Sequence, residues 1–277
     1  MQNNLRPAGF SLLPPVVKNL LIINGLCFLV NVVLSERMGV DLNEKFGLYL
    51  PQSTYFNPYQ VVTHLFMHGS FMHLFSNMFS LWMFGSVLEN HWGPKRFLTY
   101  YMITGLGAAL ILLGVNYYEF YHLKEAVDAY LVNPGYDQFY SLQGLDKGLF
   151  DIEQVRQFIR EWSLQKDNPQ LIKYSTEIAD AILQRKLNVP TVGASGAVFG
   201  VLLAYGMLFP NTLLFLIFIP VPIKAKYFVL LYGAFELYQG IQNNPADNVA
   251  HFAHLGGMLF GFILIKYWNK KNRNTFY

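Results

Sequence analysis

Ser195 is a residue whose surroundings are suited to chemistry. It lies within the stretch Gly193-Ala194-Ser195-Gly196, at the start of an apolar run that continues to Phe209. Glycines on both sides let the backbone turn sharply and approach a ligand closely. At a helix N-terminus, free backbone N–H groups could also stabilise an oxyanion formed by attack of the hydroxyl. Taken alone, however, Ser195 is better explained as a small residue in a helix-packing stripe.

A serine nucleophile needs a neighbouring imidazole to take its proton, and the last apolar run offers His251 and His254. His254 shares a helical face with two glycines, and the run that begins at Ser195 has a matching pair. Two such faces in contact would bring His254 beside Ser195. The four glycines are Gly257, Gly261, Gly196 and Gly200. We therefore prefer His254 as the general base and interpret His251 as a neighbour at the outer rim, with an interhelical hydrogen bond as the alternative for either.

His73 and Asn77 lie four residues apart in another apolar run and would project from one helical face. Both side chains can donate hydrogen bonds to a developing oxyanion. Upstream, His64 and His68 have the same spacing and could bind a metal. The sequence has no His-Glu-x-x-His motif and no cysteine partner, and it places no carboxylate near these histidines. We therefore interpret His64 and His68 as structural or rim residues, and we predict no metal and no cofactor.

The composition indicates that lipid surrounds much of the chain. Of its 277 residues, 53% are hydrophobic and 13% are charged, against about 25% charged in soluble domains. The net charge of +3 is small, and the basic residues are not gathered into a nucleic-acid-binding patch. The single cysteine, Cys27, excludes a disulfide within one chain.

The apolar runs predict an all-α fold, a polytopic membrane bundle of six transmembrane helices with a helical extramembrane insertion between helices 3 and 4. A span needs about 20 mostly apolar residues. The six predicted spans cover about Val17–Leu34, Phe71–Leu88, Phe97–Val115, Val192–Phe209, Tyr227–Ile241 and Val249–Tyr267. The apolar segment Thr212–Pro222 contains two prolines, so we expect a buried connection there rather than a seventh span.

The basic residues predict the orientation of these helices. Six spans place four basic groups on one side, which the positive-inside rule makes the cytoplasm, together with both termini. These groups contain Arg6 and Lys18, Lys95 and Arg96, Lys224 and Lys226, and Lys266 to Arg273. The predicted divisions are residues 1–116 with helices 1–3, an extracytoplasmic insertion over 117–188, and residues 189–277 with helices 4–6. Within the insertion, Asp151–Trp162 and Leu171–Leu187 have helical periodicity.

Three blocks of sequence resemble the rhomboid intramembrane serine proteases. They are the stretch from His68 to Asn77, the stretch from Gly193 to Gly200, and Ala253-His254-Leu255-Gly256-Gly257. They follow the family's order on the second, fourth and sixth spans, and the likeness covers all the spans but not the insertion. Many members carry a Tyr four residues after the serine that stacks on the histidine. Here that place is Phe199, which can still pack against an imidazole.

The resemblance implies a Ser–His dyad without a third acid. Ser195 would be the nucleophile and His254 the general base. His73, Asn77 and the Ser195 N–H would hold the oxyanion, and Gly193 would shape the nucleophile loop. The expected partners are the lipid bilayer and transmembrane protein substrates with one span, cut near its outer end.

Two other functions are compatible with parts of the sequence. A non-proteolytic relative of the same fold would bind membrane proteins without cutting them, but such relatives lose the serine or the histidine. A histidine-lined transporter or metal channel would explain several histidines but not the serine element, and its inverted repeats are not evident. No targeting presequence is evident, which favours a bacterial inner membrane.

Overall fold

The computed structural model describes residues 9–142, 153–216, 219–242 and 249–274. In chain order the helices are α1 (Pro15–Met38), α2 (Leu42–Phe46), α3 (Gln60–Thr63), α4 (Phe71–Trp92), α5 (Pro94–Val132), α6 (Tyr136–Leu142), α7 (Glu153–Ser163), α8 (Pro169–Leu187), α9 (Ser195–Leu208), α10 (Ala225–Gln242) and α11 (His251–Asn274). A 3₁₀ turn covers His64–Phe66, and a π-helical turn interrupts α4 at Leu81–Gly85. Strands β1 (Leu213–Leu216) and β2 (Ile219–Lys224) form the sheet.

Several of these helices are suited to a bilayer, as the sequence predicted. Within the described residues, α1, α4 and α5 are long and apolar enough to cross a membrane, and α9 is apolar but shorter. The N-terminus of α1 is fixed to α4 by a buried carboxylate. Glu89 accepts hydrogen bonds from the backbone N–H groups of Val16 at 2.9 Å and Val17 at 2.8 Å. An anion at this position also interacts favourably with the helix dipole.

The helix of the third predicted span continues beyond the end that we gave to the span. We placed its end near Val115 and began a separate insertion at residue 117, but α5 runs without a break from Pro94 to Val132. The helix continues because Phe120, Leu123 and Val127 repeat at helical spacing and are all buried. The change from apolar to mixed composition therefore falls within one continuous helix. The predicted boundary between residues 116 and 117 also falls inside this helix.

The insertion has a hydrophobic core of its own, built around the fully buried ring of Trp162. The second half of α5 contributes to this core together with α6, α7 and α8. The predicted helices at Asp151–Trp162 and Leu171–Leu187 correspond to α7 and α8, although residues 151 and 152 lie outside the described residues. An ion pair between Lys186 and Glu119, at 2.9 Å, joins the end of α8 to α5.

The segment Thr212–Pro222 is not the buried connection that we predicted. It folds into an antiparallel hairpin in which Leu213 pairs with Lys224 and Leu214 with Ile223. Phe215 and Val221 expose 75% and 63% of their surface, so the hairpin carries apolar side chains outward. Two prolines prevent a helix here, but Pro is tolerated in an edge strand because its missing N–H faces away from the ladder.

Candidate active site

Ser195 is the first residue of α9, as expected for a serine at a helix N-terminus. The loop before it is held by backbone hydrogen bonds. Thr191 and Leu48 exchange two bonds of 2.8 Å, and Gly193 donates its N–H to the carbonyl of His64 at 2.9 Å. The predicted span from Val192 therefore begins with three residues of ordered loop before the helix. This loop presents the serine at the end of a helix where backbone N–H groups have no intrahelical partner.

Gly193 could not be replaced by another residue without strain. Its φ is +128°, a conformation that L side chains rarely adopt. A Cβ at Gly193 would also lie 2.8 Å from the Nε2 atom of His73 and 3.8 Å from the Ser195 nitrogen. The bare side of this glycine therefore faces both the His73 ring and the Ser195 backbone amide. A side chain at this position would push the His73 ring away from the loop that precedes Ser195.

The two glycine faces predicted from the sequence do meet, and they set the distance between α9 and α11. A Cβ on Gly257 would lie only 1.8 Å from the carbonyl oxygen of Gly196. One turn further, a Cβ on Gly261 would lie 3.5 Å from the Cα atom of Gly200. Such backbone contact is the reason that small residues are enriched between membrane helices.

This close approach brings Ser195 and His254 together. The Nε2 atom of His254 lies 2.9 Å from the Oγ atom of Ser195. Phe199 stacks on the His254 ring, with centroids 4.0 Å apart and planes inclined by 7°. The imidazole is 7% exposed, whereas Ser195 is half-buried. A fixed imidazole within hydrogen-bond distance of a partly accessible hydroxyl is the geometry that general-base activation requires.

The side chains predicted to stabilise an oxyanion lie on α4. His73 is half-buried, and its backbone N–H donates a hydrogen bond to the Oγ atom of Ser70 at 3.1 Å. Asn77 is 5% exposed, and its Nδ2 atom has no hydrogen-bond partner among the described residues. Buried amides are nearly always hydrogen-bonded. The Asn77 amide could therefore donate a hydrogen bond to an oxyanion that forms only during a reaction.

His64 and His68 have different surroundings. His64 is buried, its Nδ1 atom contacts the Gln60 carbonyl at 2.8 Å, and its own carbonyl accepts the Gly193 N–H, so it supports the loop before Ser195. His68 is 1% exposed, and neither ring nitrogen has a partner within the described structure. Its ring packs edge-on against His73 at 5.0 Å. Burial, reinforced by His73, lowers the pKa of His68 to about 3, so the ring is neutral at physiological pH.

One acidic residue of the site was missed by the sequence reasoning. We expected no third acid, but the Oε2 atom of Glu236 in α10 lies 2.7 Å from the Nδ1 atom of His254. The same oxygen lies 2.7 Å from the Nδ1 atom of His251. His251 is thus a second partner of this acid and not only a rim residue. An ionisable residue in an apolar run is a functional candidate by default, and that rule could have identified Glu236.

A metal ion could also bind at this cluster, because the ligand atoms of Glu236, His251 and His254 all lie within 4.8 Å of one another. The N–O separations of 2.7 Å are, however, those of charge-assisted hydrogen bonds. A metal bound there would take the Nδ1 lone pair of His254 and place the ring proton on Nε2, toward Ser195. The absence of a metal site therefore stays a prediction.

Comparison with known proteins identifies the family. The sequence profile of the Rhomboid domain matches residues 55–122 and 171–270, which is more than half of the chain. The match leaves out α1, although we expected the likeness to cover all the spans. It also includes most of α8, so the unmatched part of the insertion is residues 123–170.

Two curated relatives from Arabidopsis thaliana share shorter stretches. RHOMBOID-like protein 5 is 38% identical over 53 residues, which are 19% of this chain and 17% of the relative. Rhomboid-like protein 11, chloroplastic, is 42% identical over 53 residues, 19% of each chain. The matched stretches thus span less than a fifth of either relative. The profile match over most of the helical bundle is the stronger finding, and by it the chain belongs to the rhomboid family.

Proposed function

We propose that this integral membrane protein is a serine endopeptidase that cuts single-span membrane proteins near the outer end of their transmembrane segment. The observation that carries the proposal is the 2.9 Å contact between His254 Nε2 and Ser195 Oγ at the N-terminus of α9. It is supported by the close approach of the His73 ring to Gly193, which lies beside the Ser195 amide. Family membership adds weight, because many rhomboid proteins carry out this chemistry.

The first half of the proposed reaction acylates the enzyme. His254 Nε2 accepts the hydroxyl proton of Ser195 as Oγ attacks the scissile carbonyl carbon, and the carbonyl oxygen becomes an oxyanion. Donors from Asn77, His73 and the Ser195 N–H stabilise that charge. The intermediate collapses with cleavage of the C–N bond, and the protonated His254 gives its proton to the leaving amine.

The second half releases the other product. A water molecule gives a proton to His254 and attacks the acyl carbon, and collapse of the second intermediate returns the proton to Ser195 Oγ. Water must therefore reach a site between apolar helices. Helix α9 has 14 residues, which is about 21 Å, against about 30 Å of hydrocarbon. If its inner end lies at the membrane surface, Ser195 lies about 9 Å below the other surface, in a depression open to water.

The proposed membrane arrangement has six spans, formed by α1, α4, α5, α9, α10 and α11. The basic groups between α4 and α5, before α10 and at the end of α11 then share one side, which the positive-inside rule makes cytoplasmic, with both termini. Ser195 and the insertion lie toward the opposite side. The bacterial inner membrane stays a prediction, because the matched relatives come from a plant.

Cleavage of a labelled single-span protein by the purified enzyme in detergent tests the proposal. Wild type should release two fragments, whereas Ser195→Ala and His254→Ala should release none while keeping the wild-type melting temperature. If folded wild type binds such proteins but behaves like both variants, the protein is a non-proteolytic binding factor and the proposal fails.

A further inference from the structure

The acid contacting His254 suggests a role beyond the dyad. Glu236 is 3% exposed although it lies in the apolar helix α10. Burying a carboxylate away from water is costly unless its charge is compensated by hydrogen bonds. Its Oε2 atom has the two nearby imidazoles as partners, each at 2.7 Å.

These contacts determine where His254 carries its proton. A carboxylate only accepts, so the Nδ1 atom of His254 must donate to Glu236, and in the neutral ring Nε2 is then a free acceptor. Nε2 is the atom that lies 2.9 Å from Ser195 Oγ. The Ser195 hydroxyl can therefore donate to Nε2 in the ground state. The opposite tautomer would direct a proton at the serine and could not act as a base.

We propose that Glu236 is a positioning residue that holds His254 in its base-competent tautomer and stabilises the imidazolium formed when Ser195 gives up its proton. This inference rests on the proposed function, in which Ser195 attacks and His254 accepts the proton. Glu236 stays ionised throughout and touches no reacting atom.

The packing around His254 supports a role in orientation. Phe199 stacks on one face of the ring, and Tyr232, one turn before Glu236 on α10, packs on Phe199 at 4.9 Å between centroids. Helix α10 therefore contacts His254 directly through the carboxylate and indirectly through the aromatic pair. An imidazole held at Nδ1 and on its face has little freedom to turn away from Ser195.

His251 has a different part in this arrangement. It shares the carboxylate oxygen but lies one turn earlier on α11, and its ring is 6.3 Å from that of His254. It therefore places a second donor on Glu236 and helps to keep the buried acid ionised.

The experiment compares Glu236→Gln with wild type in the cleavage assay and by ¹⁵N NMR of the His254 side chain in detergent. Gln keeps the shape but loses the charge. We expect kcat to fall on the order of 10²-fold with KM nearly unchanged, since general-base catalysis typically contributes 10²–10⁴-fold. We also expect the NMR spectrum to show a smaller population of the Nδ1–H tautomer. Glu177→Gln, the same change on an exposed surface of α8, should leave both measurements unchanged.

The outcomes separate this inference from the proposed function. If Ser195→Ala cleaves as well as wild type, the proposed function fails, and the His254 tautomer still tests the role of Glu236. A folded Glu236→Gln protein with wild-type kcat, or with an unchanged tautomer, would overturn the inference. Should that variant fail to fold, Glu236→Asp keeps the charge on a shorter side chain, and its kcat should fall about tenfold. A wild-type kcat for Glu236→Asp, in a protein whose NMR spectrum shows no hydrogen bond at His254 Nδ1, would equally overturn it.

Discussion

Replacement of Gly257 by alanine should disable the site without touching either member of the dyad. In the structure a Cβ at this position would lie 1.8 Å from the carbonyl oxygen of Gly196. A carbon and a carbonyl oxygen in contact need about 3.3 Å. The obstacle is helix backbone and not a flexible side chain, so α9 and α11 must separate by about 1.5 Å.

That displacement acts directly on the geometry of the proposed dyad. Ser195 is one residue before Gly196 on α9, and His254 is three residues before Gly257 on α11. A separation of this size would lengthen the 2.9 Å contact between His254 Nε2 and Ser195 Oγ to about 4 Å, which is too long for a hydrogen bond. Misplacement of a catalytic group by about 1 Å can cost 10²-fold in rate. We therefore expect kcat for Gly257→Ala to fall at least 10²-fold, with destabilisation of about 1–3 kcal/mol from overpacking.

Cleavage kinetics and thermal unfolding should be measured together on the purified variant. Gly25→Ala is the matched control, because a Cβ at that membrane-helix position would meet nothing within 4 Å. It should keep the activity of wild type and a melting temperature no lower than that of wild type. Gly257→Ala with wild-type kcat would refute the reasoning, because the two helices would then not need their glycine contact to align the dyad.

Four other perturbations test the candidate site, the core of the insertion and the buried His68. Asn77→Ala should lower kcat on the order of 10²-fold with little change in KM, because it removes one oxyanion donor; unchanged kcat would exclude Asn77 from that role. Trp162→Ala should destabilise the insertion by about 3–5 kcal/mol and make it sensitive to limited proteolysis, whereas resistance equal to wild type would contradict the separate core. The neutral ring of His68, whose pKa is lowered from 6.5 to about 3, contributes stability that is present above pH 6.5 and is lost as the pH falls toward 3. His68 should account for about 2 kcal/mol of the stability that is lost between pH 7 and pH 5, and His68→Phe should reduce the loss measured by denaturation by about that amount. EDTA should leave cleavage unchanged, and a loss restored by Zn²⁺ would assign the cluster of Glu236, His251 and His254 to a metal.

Much of the site could be predicted because its signals are local. Ser195 lies between glycines, and His254 lies on a helical face with Gly257 and Gly261. Small-residue faces specify how closely membrane helices approach, so the sequence alone was enough to place His254 beside Ser195. The spacing of His73 and Asn77 suggested that both donate to an oxyanion, the resemblance to rhomboid proteins implied the same roles, and these roles stay proposals.

The features that were missed have different physical reasons. Glu236 meets His254 only because α10 packs beside α11, and the fifth apolar run was interpreted as a simple span. The continuation of α5 to Val132 was missed because composition changes near residue 117 while the helical repeat of buried residues does not. In the hairpin at Leu213–Lys224, the two prolines correctly excluded a helix, but strand pairing cannot be deduced from them.

Covalent labelling tests whether His254 activates Ser195 as a nucleophile more directly than any cleavage assay. A fluorophosphonate probe forms a bond to an activated serine oxygen with loss of fluoride, and the modified peptide can be identified by mass spectrometry. We predict a single adduct on Ser195, absent from Ser195→Ala and formed at least about 10²-fold more slowly in His254→Ala. Folded wild-type protein that takes up no probe, or whose labelling survives both substitutions, would contradict it.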